Sequence, residues 1–121
     1  MFLGLRTAIY HVADLDAAKA WYARLLSAQP YFDQPFYVGF NVGGFELGLV
    51  PAPEAKLVRE AAGVAYWGVA KIEPAFDQAA GLGAVAVEDV TDVGEGIKVA
   101  SLRDPFGNII GLIENPHFKN S

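Results

Sequence analysis

The sequence predicts an α+β fold of two tandem β-α-β-β-β modules. Three observations carry this: one order of elements occurs twice, each half holds a single amphipathic helix, and glycine-punctuated strand patterns follow each helix. In the first half, "RTAIYHV" (residues 6–12) is strand-like and "DLDAAKAWYARLL" reads as a helix. Asp14 or Asp16 can cap its N-terminus, and Leu15, Ala18, Tyr22, Leu25 and Leu26 form one apolar stripe. A short strand near "QPYFD" follows, then "FYVGFNV", a Gly43-Gly44 turn and "FELGLV". A Gly-Gly pair between alternating runs is a two-residue hairpin signal.

The second half repeats the plan. "GVAYWGVA" is strand-like, and "EPAFDQAAGLG" is a helix with Pro74 in its first turn and glycine at its end. "AVAVEDV" and "GIKVASL" are strands, and "DPFGN" leads into the last one. Asp, Pro and Gly stand there at the first, second and fourth positions that a type I turn prefers. The strand that follows, "IIGLI", is apolar on both faces with Gly111 in its middle, where an ordinary buried strand would carry a β-branched residue. "PAPEAKLVREAAG" is a Pro-led polar linker with room for one helical turn or two. The expected division is one domain over 1–121, with module 1 at about 1–50, the linker at about 51–63 and module 2 at about 64–121.

Composition narrows the function classes. Over 121 residues, 53% are hydrophobic, enough for a real core, and the absence of cysteine excludes disulfides, thiolate metal sites and cysteine nucleophiles. No stretch approaches the roughly 18 apolar residues of a membrane span, and the opening "MFLGLRTAIYHV" lacks the pattern of a signal peptide, so the expectation is a cytoplasmic protein with no membrane partner. The net charge of −5 leaves no basic stripe for nucleic acid. "GLGAVAV" follows a helix and reads as its cap, which removes it as a dinucleotide fingerprint.

Strand alternation separates two faces. Around the Gly43-Gly44 turn, Val42 faces Phe45, Asn41 faces Glu46, Phe40 faces Leu47 and Gly39 faces Gly48. One face then carries Phe36, Val38, Phe40, Val42, Phe45, Leu47 and Leu49, which lie against the helix. The other carries Tyr37, Gly39, Asn41, Glu46, Gly48 and Val50, a set that reads as a pocket wall. Glu46 has two readings: a strand carboxylate facing water, or a group on a concave wall. In the second, partial burial raises its pKa and makes it a base, a hydrogen-bond acceptor or a counter-ion. Strands apolar on both faces at 64–70 and 109–113 need cover on both sides, from another sheet, a partner chain or a ligand. A homodimer is therefore expected.

The duplicated plan, the "HVADLDAAKAWY" opening and the "LRDPFGNIIGLIEN" ending resemble the vicinal oxygen chelate superfamily, which includes glyoxalase I, extradiol dioxygenases and fosfomycin- and bleomycin-resistance proteins. The resemblance implies sheets curled around a cleft, often completed across a homodimer. It also implies four places that in metal-using members hold a divalent ion, here Thr7, Glu46, Val64 and Gly111. Only Glu46 is a good ligand among them, so no metal and no other cofactor is expected. His11 shares the face of Thr7 and Ile9 and comes within reach of the rim; its plainer reading is a residue bonded to the backbone or to Asp14. His117 lies too far along the chain to join. Tyr66 shares a face with Val64, Ser101 falls on the pocket side if its strand sits as in the family, and Trp67 belongs to the core.

The ligand-binding set expected is thus Thr7, Ile9, His11, Tyr37, Asn41, Glu46, Gly48, Val64, Tyr66, Ser101 and Gly111, with Glu46 as the catalytic candidate. The leading expectation is a metal-independent protein that binds or sequesters an organic compound in an apolar cleft, as bleomycin-resistance-like relatives do. The alternative is a glyoxalase-like lyase or isomerase, or a dioxygenase-type enzyme, metal-dependent or using Glu46 as base. A third reading, a purely structural domain, conflicts with glycines that clear space on the cleft face.

Overall fold

The computed structural model describes residues 3, 6–53 and 64–117. The chain divides into two compact units, Met1–Arg59 and Glu60–Ser121. Most of the expected linker, residues 54–63, lies outside the described residues.

The first unit runs β1 (Thr7–Val12), α1 (Leu15–Leu26), β2 (Phe32–Gln34), β3 (Tyr37–Val42) and β4 (Phe45–Pro51). Its strands form a mixed sheet in the order β1-β4-β3-β2, with β1 parallel to β4 and the other pairs antiparallel. Asp14, the first of the two candidate caps, takes the role: its carboxylate accepts the Ala17 N–H at 3.0 Å. Helix α1 buries Ala18, Trp21 and Tyr22. Trp21 is an addition to the expected stripe, and it meets Tyr22 edge-to-face with ring centroids 4.9 Å apart. The helix packs on Tyr10, Val12, Val38, Phe40, Leu47 and Leu49, all buried. The expected helix-facing set therefore holds in its middle. It fails at its ends: Phe36, in the turn between β2 and β3, and Phe45, at the start of β4, are exposed.

The second unit repeats the topology with β5 (Ala65–Gly68), α2 (Ile72–Gly81), β6 (Val85–Gly94), β7 (Ile97–Arg103) and β8 (Ile109–Glu114), in the sheet order β5-β8-β7-β6. Lys71, at the start of α2, makes no side-chain cap. The Glu114 carboxylate on β8 accepts the Ile72 N–H instead, at 2.9 Å. Ile72, Ala79, Ala100, Leu102, Ile110 and Leu112 form this unit's core. The turn before β8 is as expected. Asp104 is buried, and its Oδ1 accepts the N–H groups of Phe106 at 2.9 Å and Asn108 at 2.8 Å. The result is the expected α+β architecture, two four-stranded mixed sheets each with one helix.

Candidate functional site

The site is built on the β3–β4 hairpin. Gly43 and Gly44 both take positive φ, 62° and 92°, as a primed two-residue turn demands, and the Asn41 side-chain oxygen accepts the Gly44 N–H at 2.9 Å. This turn sets the register in which Asn41 pairs with Glu46 and Gly39 with Gly48, as the alternation predicted. On the other side of β4, Glu46 pairs with Thr7 and Gly48 with Ile9. Period-two geometry therefore sends Glu46 away from α1, onto the face that carries Thr7 and Tyr37.

Three hydroxyls converge on the Glu46 carboxylate. Thr7 donates to Oε1 at 3.2 Å and Tyr37 donates to the same oxygen at 2.7 Å. Tyr31 donates to Oε2, and its own N–H is anchored on the Gly39 carbonyl at 2.9 Å. The hydroxyls of Tyr31, Tyr37 and Thr7 hold the Glu46 carboxyl below its usual pKa and outweigh the opposing effect of burial. The expected upward shift is thereby reversed. Donors that satisfy the charged form decide the direction, and a carboxylate so held is a weak base. Burial, and then the bond to Glu46, push the Tyr37 phenol up to about 12. The bond to Glu46 also raises the Tyr31 phenol.

The glycines of this face do not leave open volume. A Cβ on Gly48 would lie 2.1 Å from the Tyr37 hydroxyl oxygen and 2.6 Å from Tyr37 Cζ. One on Gly39 would lie 3.0 Å from Glu46 Oε2 and 3.2 Å from the Tyr31 ring. In the second unit, a Cβ on Gly111 would lie 2.7 Å from Tyr66 Cδ1 and 2.8 Å from the Ala65 carbonyl. Each glycine is the seat of a tyrosine ring. That corrects the expectation that Gly48 and Gly111 hold space for a ligand.

An open pocket of about 270 Å³ lies beside the carboxylate, lined by Arg6, Thr7, Tyr31, Asn41, Gly44, Phe45 and Glu46. Of the expected site residues in this unit, Thr7, Asn41 and Glu46 line it, while Tyr37 donates to Glu46 and packs on Gly48 without lining it. Ile9 and His11 are exposed further along the Thr7 face of β1 and do not line the pocket. Val64, Tyr66, Ser101 and Gly111 belong to the second unit. There Ser101 pairs with Gly111 on β8 and is buried, Tyr66 pairs with Gly111 from β5, and Val64 is exposed just before that strand. His117 is occupied within the same unit, its Nε2 2.8 Å from the Glu95 carbonyl oxygen. Sequence reasoning missed Arg6, Tyr31 and Phe45. Two adjacent glycines on one face were the available signal for bulky neighbours, but they do not say which residues arrive.

The two units also correct the register of the family's ligand places. Setting the helix starts Leu15 and Ile72 against each other sets Thr7 against Val64 and Ile9 against Tyr66. Ile9 pairs with Gly48, and Tyr66 pairs with Gly111. The first-unit counterpart of Gly111 is therefore Gly48; Glu46 lies two residues before it. Among the described residues, no group of three or more His, Cys, Asp or Glu side chains is placed to hold a metal ion. Nor is any helix among them long and apolar enough to cross a membrane.

Comparison with solved structures places this architecture among known ones. A glyoxalase-related enzyme from Fulvimarina pelagi superposes with a TM-score of 0.79 at 16% identity, covering 99% of this chain and 94% of its own. A glyoxalase/bleomycin resistance protein from Catenulispora acidiphila gives a TM-score of 0.69 at 26% identity, over 93% of this chain and all (100%) of its own. A glyoxalase/bleomycin resistance protein/dioxygenase family enzyme from Burkholderia phytofirmans gives 0.76 at 16% identity, over 89% and 95%. No curated protein matches the chain. The family model that does match spans residues 5–112, nearly the whole chain, and with the duplicated β-α-β-β-β topology it establishes that the chain belongs to the glyoxalase/bleomycin resistance protein/dioxygenase superfamily.

Proposed function

We propose that this chain is a metal-independent, small-molecule-binding member of its superfamily, acting as a homodimer, with Glu46 as the polar anchor of its ligand. The observation that carries the reading is the Glu46 carboxylate, gripped by the hydroxyls of Thr7, Tyr31 and Tyr37 at the edge of an open pocket. Three donors keep the group ionised and oriented, which suits an acceptor or counter-ion and disfavours a general base.

The divalent ion of metal-using relatives does not fit the residues present. By the paired register its places fall at Thr7, Gly48, Val64 and Gly111. A threonine hydroxyl is a poor ligand, and Val64 and the two glycines have no donor atom, against the three or four nitrogen, oxygen or sulfur ligands that such ions take. The spaces above Gly48 and Gly111 are filled by Tyr37 and Tyr66.

The test combines elemental analysis with a thermal-shift screen of organic compounds on the wild-type chain and Glu46→Gln. The purified protein is expected to carry no stoichiometric Zn, Ni, Fe or Mn. A hit that donates a charged hydrogen bond is expected to weaken by about 1.5–3 kcal/mol in Glu46→Gln. About one transition metal per chain overturns the metal-free reading, whether or not Glu46→Ala loses it. Unchanged affinity in Glu46→Gln overturns the anchor role.

A further inference from the structure

The pocket at the hairpin end of the first unit is small and carries both signs of charge. Its volume, about 270 Å³, lies just below the range that small-molecule sites enclose, so the part of a ligand that it holds is compact. Glu46 and Arg6 both line it. Among the described residues, the ion pairs are Lys19 with Asp33 and Lys98 with Glu73, so the Arg6 guanidinium and the Glu46 carboxylate form no direct ion pair with each other.

The carboxylate's remaining capacity is limited. A carboxylate offers about four lone-pair sites. Oε1 receives Thr7 and Tyr37, and Oε2 receives Tyr31, which leaves one acceptor site on Oε2. One site matches one N–H. The exposed rings of Tyr31 and Phe45 share the same wall, and ring faces favour a cation near them. Arg6 presents a planar fork of donors suited to a carboxylate.

We infer that this pocket takes a compact zwitterion, a protonated amine given to Glu46 and a carboxylate given to Arg6 on one molecule, the chemistry of free α-amino acids and their small N-alkyl derivatives. The inference rests on the reading of Glu46 as ligand anchor and names the ligand's class. A quaternary ammonium has no N–H for the remaining acceptor. A simple amine leaves Arg6 without a partner, and a simple carboxylate brings its charge against Glu46.

Isothermal titration of the full chain with L-phenylalanine, phenethylamine, 3-phenylpropanoate and 3-phenylpropan-1-ol tests this. The four share one ring and differ in charge. L-phenylalanine is expected to bind about tenfold or more tighter than each of the others, the scale of one charge-assisted hydrogen bond. Glu46→Gln is expected to erase its advantage over 3-phenylpropanoate, and Arg6→Gln its advantage over phenethylamine; circular dichroism verifies that both variants fold. Phenethylamine binding as tightly as L-phenylalanine overturns the inference, as does an unchanged ratio in Arg6→Gln. If 3-phenylpropan-1-ol binds as well as the amino acid and weakens in Glu46→Gln, the zwitterion falls while the anchor role stands. Failure of all four to bind also overturns the zwitterion, leaving the anchor role to the thermal-shift screen.

Discussion

Glu46 was legible as a direction and not as an environment. Strand parity and the Gly43-Gly44 turn predict the face it takes, and the pairing of Asn41 with Glu46 follows from them. Its pKa depends on Tyr31, which lies in the loop before β2 and reaches the carboxylate through the tertiary fold. No local pattern announces such a contact, and the glycines opposite were equally consistent with a ligand or a ring. The pH dependence now has a definite sign. Because the folded-state pKa of Glu46 lies below its ordinary value of 4.5, the stability its ionised form contributes is present above that value and is lost as pH falls through the folded pKa. Tyr37 behaves oppositely in pH. Its neutral phenol is favoured in the fold, so that contribution is complete below 10.0 and is lost as pH rises through about 12. Ultraviolet titration of tyrosinate is expected to show a late phase near pH 12 that disappears in Tyr37→Phe. In Glu46→Gln that phase moves down in part, since burial still raises Tyr37 but the bond to a charged Glu46 no longer adds to it. A Tyr37 phase unmoved by Glu46→Gln removes the coupling between them.

Helix starts show where local sequence suffices and where it does not. Asp14 caps α1 through Ala17, three residues on, a spacing that sequence displays directly. Helix α2 begins after Lys71, which cannot accept a backbone N–H, and its cap arrives from Glu114, 42 residues away. Only the sheet order β5-β8-β7-β6 brings β8 under that helix end. Both caps also place negative charge at a positive helix terminus. Asp14→Ala is expected to cost about 1 kcal/mol in urea denaturation, the usual value of a lost cap. Glu114→Ala is expected to cost a similar amount, about 1 kcal/mol, because an N–H on the buried Ile72 loses its partner. Glu114→Gln retains a side-chain oxygen and recovers most of that loss. If Glu114→Ala is as stable as wild type, water replaces the carboxylate and the long-range cap carries no weight.

At the scale of the whole chain, duplication makes one half a control for the other. A tyrosine seated on a glycine occurs in both units, Tyr37 from β3 over Gly48 and Tyr66 from β5 over Gly111, yet among the described residues the first unit alone shows a carboxylate bonded to the hydroxyl. The side-chain chemistry of the two units is therefore asymmetric although the topology is symmetric. What both units share is apolar surface on the face turned from their own helix. Ile9 is 50% exposed on β1, and Val64 and Tyr66 are 43% and 53% exposed at β5. Residues of this kind on the edge strands of a chain this size are costly to leave in water, at about 25 cal/mol per Å² of apolar area. A second copy that covers them offsets that cost and keeps the contact symmetric, so residue partners are reciprocal. Multi-angle light scattering is expected to return twice the 13.0 kDa chain mass at micromolar concentration. Ile9→Lys and Tyr66→Lys, which place charge on these faces, are expected to shift the mass toward one chain while circular dichroism stays unchanged. A single-chain mass for the wild type across that range rules out the dimer, and the exposed tyrosines are then free to face ligand alone.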